Sequence, residues 1–215
     1  MTEDRQGTAA RAIGDWLGSL ASDAPTPGGG AFAGLAGAAG AAMLAMVARL
    51  TIGREGFEDV EARMRELATT SDAARARFLE LADRDASAFD GVIAAFRMPK
   101  DTEEQRARRT AAIQRGYADA AAIPLEVARA AVDLLPLAET ATAIGNPRAA
   151  SDGYCGAIAL HAAASAAIAN VRINASSIDD VAARDELLRA SSELRDRAEA
   201  LIEAAATAFE RRTLP

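Results

Sequence analysis

Asp85 is the side chain best placed to do chemistry. Phe78, Leu81, Phe89, Val92 and Phe96 recur at spacings of three, four and eight residues, and Asp85 falls in the gap of that stripe. On a helix this turns its carboxyl toward the core, whereas Asp83, about 200° round the axis, should be solvated. A buried carboxylate is costly unless paired or used, and burial lifts its pKa into the range useful for proton transfer. The bland alternative is an aspartate tied to a helix end or to an arginine.

A second feature is the run Pro25-Thr26-Pro27-Gly28-Gly29-Gly30, followed by eighteen residues without a charge. The three glycines free the backbone there. Gly30, Gly34, Gly37 and Ala41 then leave one helix face nearly bare, open to a partner helix or a flat ligand. It is not a nucleotide-binding phosphate loop, because the Gly-Lys-Ser/Thr ending is missing and no strand leads into it.

Asn146, Ser151 and Asp152 form a third group, readable as a loop with a helix cap or as a polar rim at a helix start. Asn170 and Asn174 share a helix face at four-residue spacing, where asparagine is a poor helix former, so each should bond to something specific. Arg97, Lys100, Arg106, Arg108 and Arg109 cluster around one turn and read mainly as a solvated face. Lys100, past the end of the Asp85 helix, is also a candidate for holding a carboxylate or phosphate. The single histidine, His161, reads as a core residue, and the single cysteine, Cys155, has no base at useful spacing.

These counts limit the chemistry. One cysteine forbids an internal disulfide and fits a reducing cytoplasm, and zinc sites rich in His and Cys are excluded. No clustered carboxylate motif suggests a metal, so no cofactor or metal is expected. A formal charge of −7 argues against nucleic acid as a partner. The opening Met1-Thr-Glu-Asp-Arg5 is not a secretory signal. The uncharged run to Ala48 has the length of a bilayer span, but its alanine and glycine content reads as a buried central helix rather than a membrane segment.

The elements that must position these residues are all helical. Of 215 residues half are apolar and only 4% aromatic, which favours closely packed helices over strands. Ala9, Ile13, Trp16, Leu17 and Leu20 mark a first amphipathic helix, and the small-residue helix runs to about Leu50. Two glycines break the chain between Thr51 and Phe57. A long pattern follows from Glu58 to Phe96, with a weak point at Thr69-Thr70-Ser71. Thr102 and Gln105 read as the start of another helix, which Pro124 should kink or end, with Pro136 as a second weak point. After the Gly145-Asn146-Pro147 loop, Ser151-Asp152 should cap a second alanine-rich helix reaching Asn174. The last helix carries Leu187, Leu194, Leu201 and Ala208 at seven-residue spacing, a seam for another helix inside the bundle or on a second subunit.

Five blocks in order along the chain resemble the formiminotransferase-cyclodeaminase C-terminal family: Ala24-Pro-Thr-Pro-Gly-Gly-Gly30, Met46-Val-Ala-Arg-Leu-Thr51, Asp85-Ala-Ser-Ala-Phe89 with Pro99-Lys100, Gly145-Asn-Pro-Arg-Ala-Ala-Ser-Asp152, and Asn170-Val-Arg-Ile-Asn174. The resemblance implies one all-α, up-and-down bundle over residues 1–215 that forms a homodimer. It also implies a folate substrate held in a cleft by these motifs, with Asp85 as acid/base. It marks Thr26, Pro27, Gly28, Gly29, Gly30, Asn146, Ser151, Asp152, Asn170 and Asn174 as substrate contacts; apart from it, the basic side chains Arg49, Arg54 and Lys100 are candidates for holding the glutamate tail. The chain departs from the family pattern at Arg49, where asparagine is frequent, and at Arg54-Glu55-Gly56, where lysines are.

Three readings follow. The first is a cytoplasmic cyclohydrolase opening 5,10-methenyltetrahydrofolate to 10-formyltetrahydrofolate. A chain with this domain alone favours it over the second, a cyclodeaminase that releases ammonia from formiminotetrahydrofolate. The third is a non-catalytic helical scaffold dimerising through the Leu187–Leu201 seam.

Overall fold

The computed structural model describes residues 7–213, so the charged opening Met1–Arg5 lies outside it. Six α-helices follow one another: α1 (Ile13–Leu20), α2 (Gly29–Arg49), α3 (Glu58–Phe96), α4 (Glu103–Ile144), α5 (Ala150–Ala175) and α6 (Val181–Thr213). Two short 3-10 turns, Thr8–Ala10 and Pro147–Ala149, precede α1 and α5. No strand occurs among the described residues. Cross-helix neighbours fix the direction of each element. Gly30 meets Asp85 and Gly37 meets Phe78, so α3 runs back along α2; Gly153 meets Thr142, so α5 runs back along α4. Tyr154 stacks on Phe209 at 5.2 Å, so α6 returns along α5. The bundle is up-and-down.

Local chemistry sets the helix ends. Thr102 and Gln105 form a reciprocal capping box at the start of α4. Asp180 Oδ1 accepts the N–H groups of Ala182 and Ala183 and so opens α6. Glu58, Asp59 and Glu61 crowd the first turn of α3, where the helix dipole favours anions. Gly53 and Gly56 take φ of 71° and 84°, left-handed values that turn the chain from α2 into α3.

Packing overrides several local signals. Pro124 and Pro136 do not end their helix: α4 runs unbroken for 42 residues. A proline loses one backbone bond, but α4 lies against α2, α3, α5 and α6 and buries Ile123, Leu125, Val132 and Leu135. Thr69-Thr70-Ser71 does not interrupt α3, where Thr69 bonds back to the Arg65 carbonyl. The first amphipathic helix is only part helical. Trp16 is buried against Ala31 and Ala82, while Ile13 and Leu17 face outward. The leucine seam of α6 turns inward: Leu194, Ala198 and Ala205 are buried in the core, with Leu187 and Leu201 packed against it. It is not a surface for a second subunit.

The bare face of α2 is filled by other helices. A Cβ at Gly34 would sit 2.8 Å from that of Ala82, and one at Gly37 2.6 Å from the Phe78 ring. On another side of α2, Gly40 lies against Leu160 and the Gly156 carbonyl. The glycines beyond Gly30 therefore set helix spacing, bringing α3 and α5 close around the N-terminal half of α2.

Candidate active site

The site forms where α2 begins. Gly28, at the helix start, offers no side chain, so the first N–H groups of α2 lack local acceptors. Asp85 reaches across from α3, and its carboxylate accepts the N–H of Ala31. Glycine at position 30 makes room for it: a Cβ there would fall 2.1 Å from Oδ1 and 2.4 Å from Cγ of Asp85. Gly29 does the same for Asn170 of α5, whose Nδ2 would lie 2.8 Å from a Cβ at that position. Successive glycines at one helix end thus seat a carboxyl and a carboxamide.

Asp85 is part-buried, and burial pushes its pKa up to about 6. The Ala31 N–H, at the positive end of the α2 dipole, pulls it down again but only in part. Among the described residues no arginine neutralises it. The nearby guanidinium of Arg84 is spent on Glu126, at 3.0 and 3.1 Å. The result is a carboxyl that ionises near neutrality beside a glycine backbone, a group able to take a proton and give it back.

Asp83 is not solvated as its spacing suggests. Its Oδ1 accepts the backbone N–H and the hydroxyl of Thr8 at 2.8 and 2.7 Å, because the turn before α1 folds over α3. Beside it lies a cavity of about 770 Å³ lined by Arg11, Trp16, Thr26, Pro27, Asp83 and Ser87 among others. Asp85 itself is not on its wall, but Ala31, whose N–H it accepts, and its chain neighbour Ala86 are.

The predicted contact residues divide between two ends of the bundle. Thr26, Pro27, Gly28, Gly29, Gly30 and Asn170 lie with Asp85. Asn174 lies one turn beyond Asn170 on α5, and its Nδ2 donates to the Ala120 carbonyl at 2.8 Å, tying α5 to α4. Arg49, Arg54, Asn146, Ser151 and Asp152 lie at the opposite end of α2, whose 21 residues span about 30 Å. There Arg49 pairs with Asp72 on the surface, and Arg54 is exposed in the following turn. Asn146 is buried: its N–H donates to Thr51 Oγ1 at 2.8 Å, its Nδ2 to the Leu50 carbonyl, and its Oδ1 caps Arg148. Ser151 and Asp152 do not cap α5, which begins one residue earlier, because Asn146 and the 3-10 turn already satisfy the chain there. Lys100 is exposed, fifteen residues past Asp85 and on the order of 20 Å from it. Within this chain these residues do not converge in a single cleft.

The contact that sequence reasoning missed is the Ala31 N–H, a backbone donor that no residue type advertises. His161 is half-exposed and bonded to Glu199 at 3.2 Å, and Cys155 is exposed. Among the described residues no three His, Cys, Asp or Glu side chains are grouped to hold a metal ion.

Comparison with known proteins bears on the family and the fold. Residues 12–193 match the family model described as formiminotransferase-cyclodeaminase. A methenyltetrahydrofolate cyclohydrolase of Methylorubrum extorquens is 37% identical over 82% of this chain and 85% of its own length. The formimidoyltransferase-cyclodeaminase of Sus scrofa is 34% identical over 81% of this chain, which spans only 32% of that larger protein. The crystal structure of a formiminotetrahydrofolate cyclodeaminase from Thermotoga maritima superposes with a TM-score of 0.84 at 30% identity, covering 94% of this chain and 98% of that one. The chain belongs to the formiminotransferase-cyclodeaminase family.

Proposed function

We propose that this protein is a methenyltetrahydrofolate cyclohydrolase with Asp85 as its catalytic acid and base. The observation that carries the reading is the Asp85 carboxyl, seated on Gly30 with its pKa pushed up to about 6. The similarity to the Methylorubrum cyclohydrolase supports the substrate. Water attacks the bridging carbon of the cationic amidine, and Asp85, ionised and beside the developing charge, takes one of its protons. The C–N5 bond of the resulting carbinolamine then breaks, and Asp85 returns that proton to N5. The hydroxyl becomes the formyl group on N10 as its own proton leaves to solvent. One carboxyl serves both steps, and the scheme calls on no metal.

The test is Asp85→Asn, followed by the loss of the methenyl chromophore. Turnover is expected to fall by two orders of magnitude or more, since one positioned acid/base group contributes about 10²–10⁴-fold. The wild-type kcat/KM should drop on the acid side of about pH 6, where Asp85 is protonated. Full turnover in the variant would remove Asp85 from the reaction.

A second reading, cyclodeaminase, is favoured by the likeness to the Thermotoga structure. There N10 attacks the formimino carbon and Asp85 delivers a proton to the departing ammonia. Ammonia released from 5-formiminotetrahydrofolate faster than the methenyl compound is hydrolysed would establish it in place of the first.

A further inference from the structure

One segment of the chain is held more loosely than the helices it crosses. Residues 7–24 pass over the start of α2 and over α3 around Asp83, as a strap made of the Thr8–Ala10 turn, α1 and an exposed bend. Among its described side chains Trp16 alone is buried, on Ala31 of α2 and Ala82 of α3. Ile13 and Leu17 are 72% and 48% exposed, and a Cβ at Gly14 or Gly18 would meet nothing within 4 Å. Arg11, Ser19 and Ser22 bond within the strap itself. Among the described residues, its hydrogen bonds to the rest of the chain come from the Thr8 N–H and hydroxyl, and both end on Asp83 Oδ1. The other oxygen, Oδ2, lies against Gly7, where a Cβ would fall 2.7 Å from it.

The strap does not pack down on the helices beneath it. Between them lies the cavity of about 770 Å³, a volume within the ~300–1,000 Å³ of small-molecule sites. Arg11, Asp15 and Ser19 of the strap form one wall, and Ala31, Ala86 and Ser87 of the helices form the other. Ala31 gives its N–H to Asp85, so the chamber backs on the hydrogen bond that holds the reacting carboxyl. A segment with one buried anchor and one hydrogen-bonded clasp opens far more readily than a core helix. A purely structural tail would lay its apolar side chains on the bundle; this one leaves Ile13 and Leu17 outside and spans a void.

We propose that residues 7–24 are a latched cover on the Asp85 site, with Trp16 as its plug and Asp83 as the positioning residue that latches it. The hinge is the bend at 21–25, which is exposed and hydrogen-bonded only to its own neighbours. With the cover raised, substrate enters the chamber; with Thr8 back on Asp83, it is held against the first turn of α2 and bulk solvent is kept from it. Resting on the folate reading above, this divides two tasks between carboxylates two residues apart on different faces of α3. Asp83 holds the cover, and Asp85 moves the proton.

Two experiments test this, and the first does not depend on any activity. Trp16 is the single tryptophan, so its fluorescence reports on the strap alone. Asp83→Ala should raise acrylamide quenching of Trp16 and speed tryptic cleavage after Arg11 by about tenfold or more, with helical content and denaturant midpoint close to wild type. Thr8→Val, which keeps the backbone bond, should do the same to a smaller degree, and it stands in for Asp83→Ala should that variant fail to fold. Trp16 as shielded and Arg11 as resistant as in wild type would overturn the latch. Shielding lost only together with helix would make the strap part of the core and overturn the cover.

The second experiment locks the strap. In a Cys155→Ser background, Gly7→Cys with Asp83→Cys puts two thiols side by side. The oxidised protein should lose at least about nine-tenths of its turnover of 5,10-methenyltetrahydrofolate and regain it with dithiothreitol. Equal turnover before and after reduction would overturn the gate. In Asp83→Ala, KM should rise severalfold with kcat within a factor of about three of wild type. A fall in kcat at unchanged KM would place Asp83 in the chemistry and overturn its latching role. If the wild-type protein turns over neither folate substrate, the functional reading fails, while Trp16 quenching and cleavage after Arg11 still decide the strap.

Discussion

At position 85 two influences oppose each other. Burial favours the neutral acid, while the Ala31 N–H favours the carboxylate, and burial prevails. The native state therefore binds a proton more tightly than the unfolded chain does. Asp85 contributes stability below the unfolded pKa of 3.8 and loses it as pH rises to about 6, after which the effect is constant. The full shift is worth at most about 3 kcal/mol, and less for a carboxyl that is only part-buried. Asp85→Asn keeps an oxygen for the Ala31 N–H and removes the charge. It should therefore melt higher than wild type at pH 7 and match it near pH 4, as thermal melts across that range would show. A lower melting temperature at pH 7 would contradict the burial argument. Gly30→Ala puts a methyl group where the carboxyl now sits. We expect it to stay folded by circular dichroism but to lose activity by a factor of about 10² or more, since displacement of a reacting group by an ångström costs that much.

For the helices, α2 is the axis around which the others are arranged, and its glycines set how closely. Gly37→Ala would force a carbon within 2.6 Å of the Phe78 ring, which is fully buried and has no room to retreat. A cost of about 1–3 kcal/mol is expected despite the better helix propensity of alanine. The far end of α2 is tied down by Thr51, which is buried, donates to the Val47 carbonyl and accepts the Asn146 N–H. Thr51→Val leaves that N–H buried without an acceptor, at about 1–3 kcal/mol. Denaturant midpoints measure both variants, and an unchanged midpoint for Thr51→Val would mean that water replaces the hydroxyl. The helices also show where local rules gave way. Pro124, Pro136 and Thr69–Ser71 lie in helices whose faces are buried along their length, and there packing outweighs the loss of one bond or a poor propensity.

For the whole molecule, a ligand that binds only the folded state must stabilise it. A tetrahydrofolate at a hundred times its Kd should add about 2.7 kcal/mol, a rise of several degrees in Tm, and no rise at saturating folate would favour the silent scaffold. The all-helical class, the helix order and the inward aspartate were legible in the sequence. Composition disfavoured strands, and the Phe78–Phe96 stripe forced one carboxyl toward the core. Periodicity also announced a bare face on α2 and a leucine seam on α6, but it reports only that a helix has such a face. What covers each depends on which helices become neighbours: α3 fills the bare face of α2, and the bundle core takes in the α6 seam. Likewise the spacing of the motifs said nothing of their separation in space. Asn146 and Asp85 read as parts of one cleft until a rigid helix of 21 residues was found standing between them. The sequence determined which groups could react, because side-chain chemistry and helical period are local properties. Only the tertiary structure decided that the start of α2 makes room for Asp85 and that burial lifts its pKa, because burial and close approach are made by residues far apart in the chain.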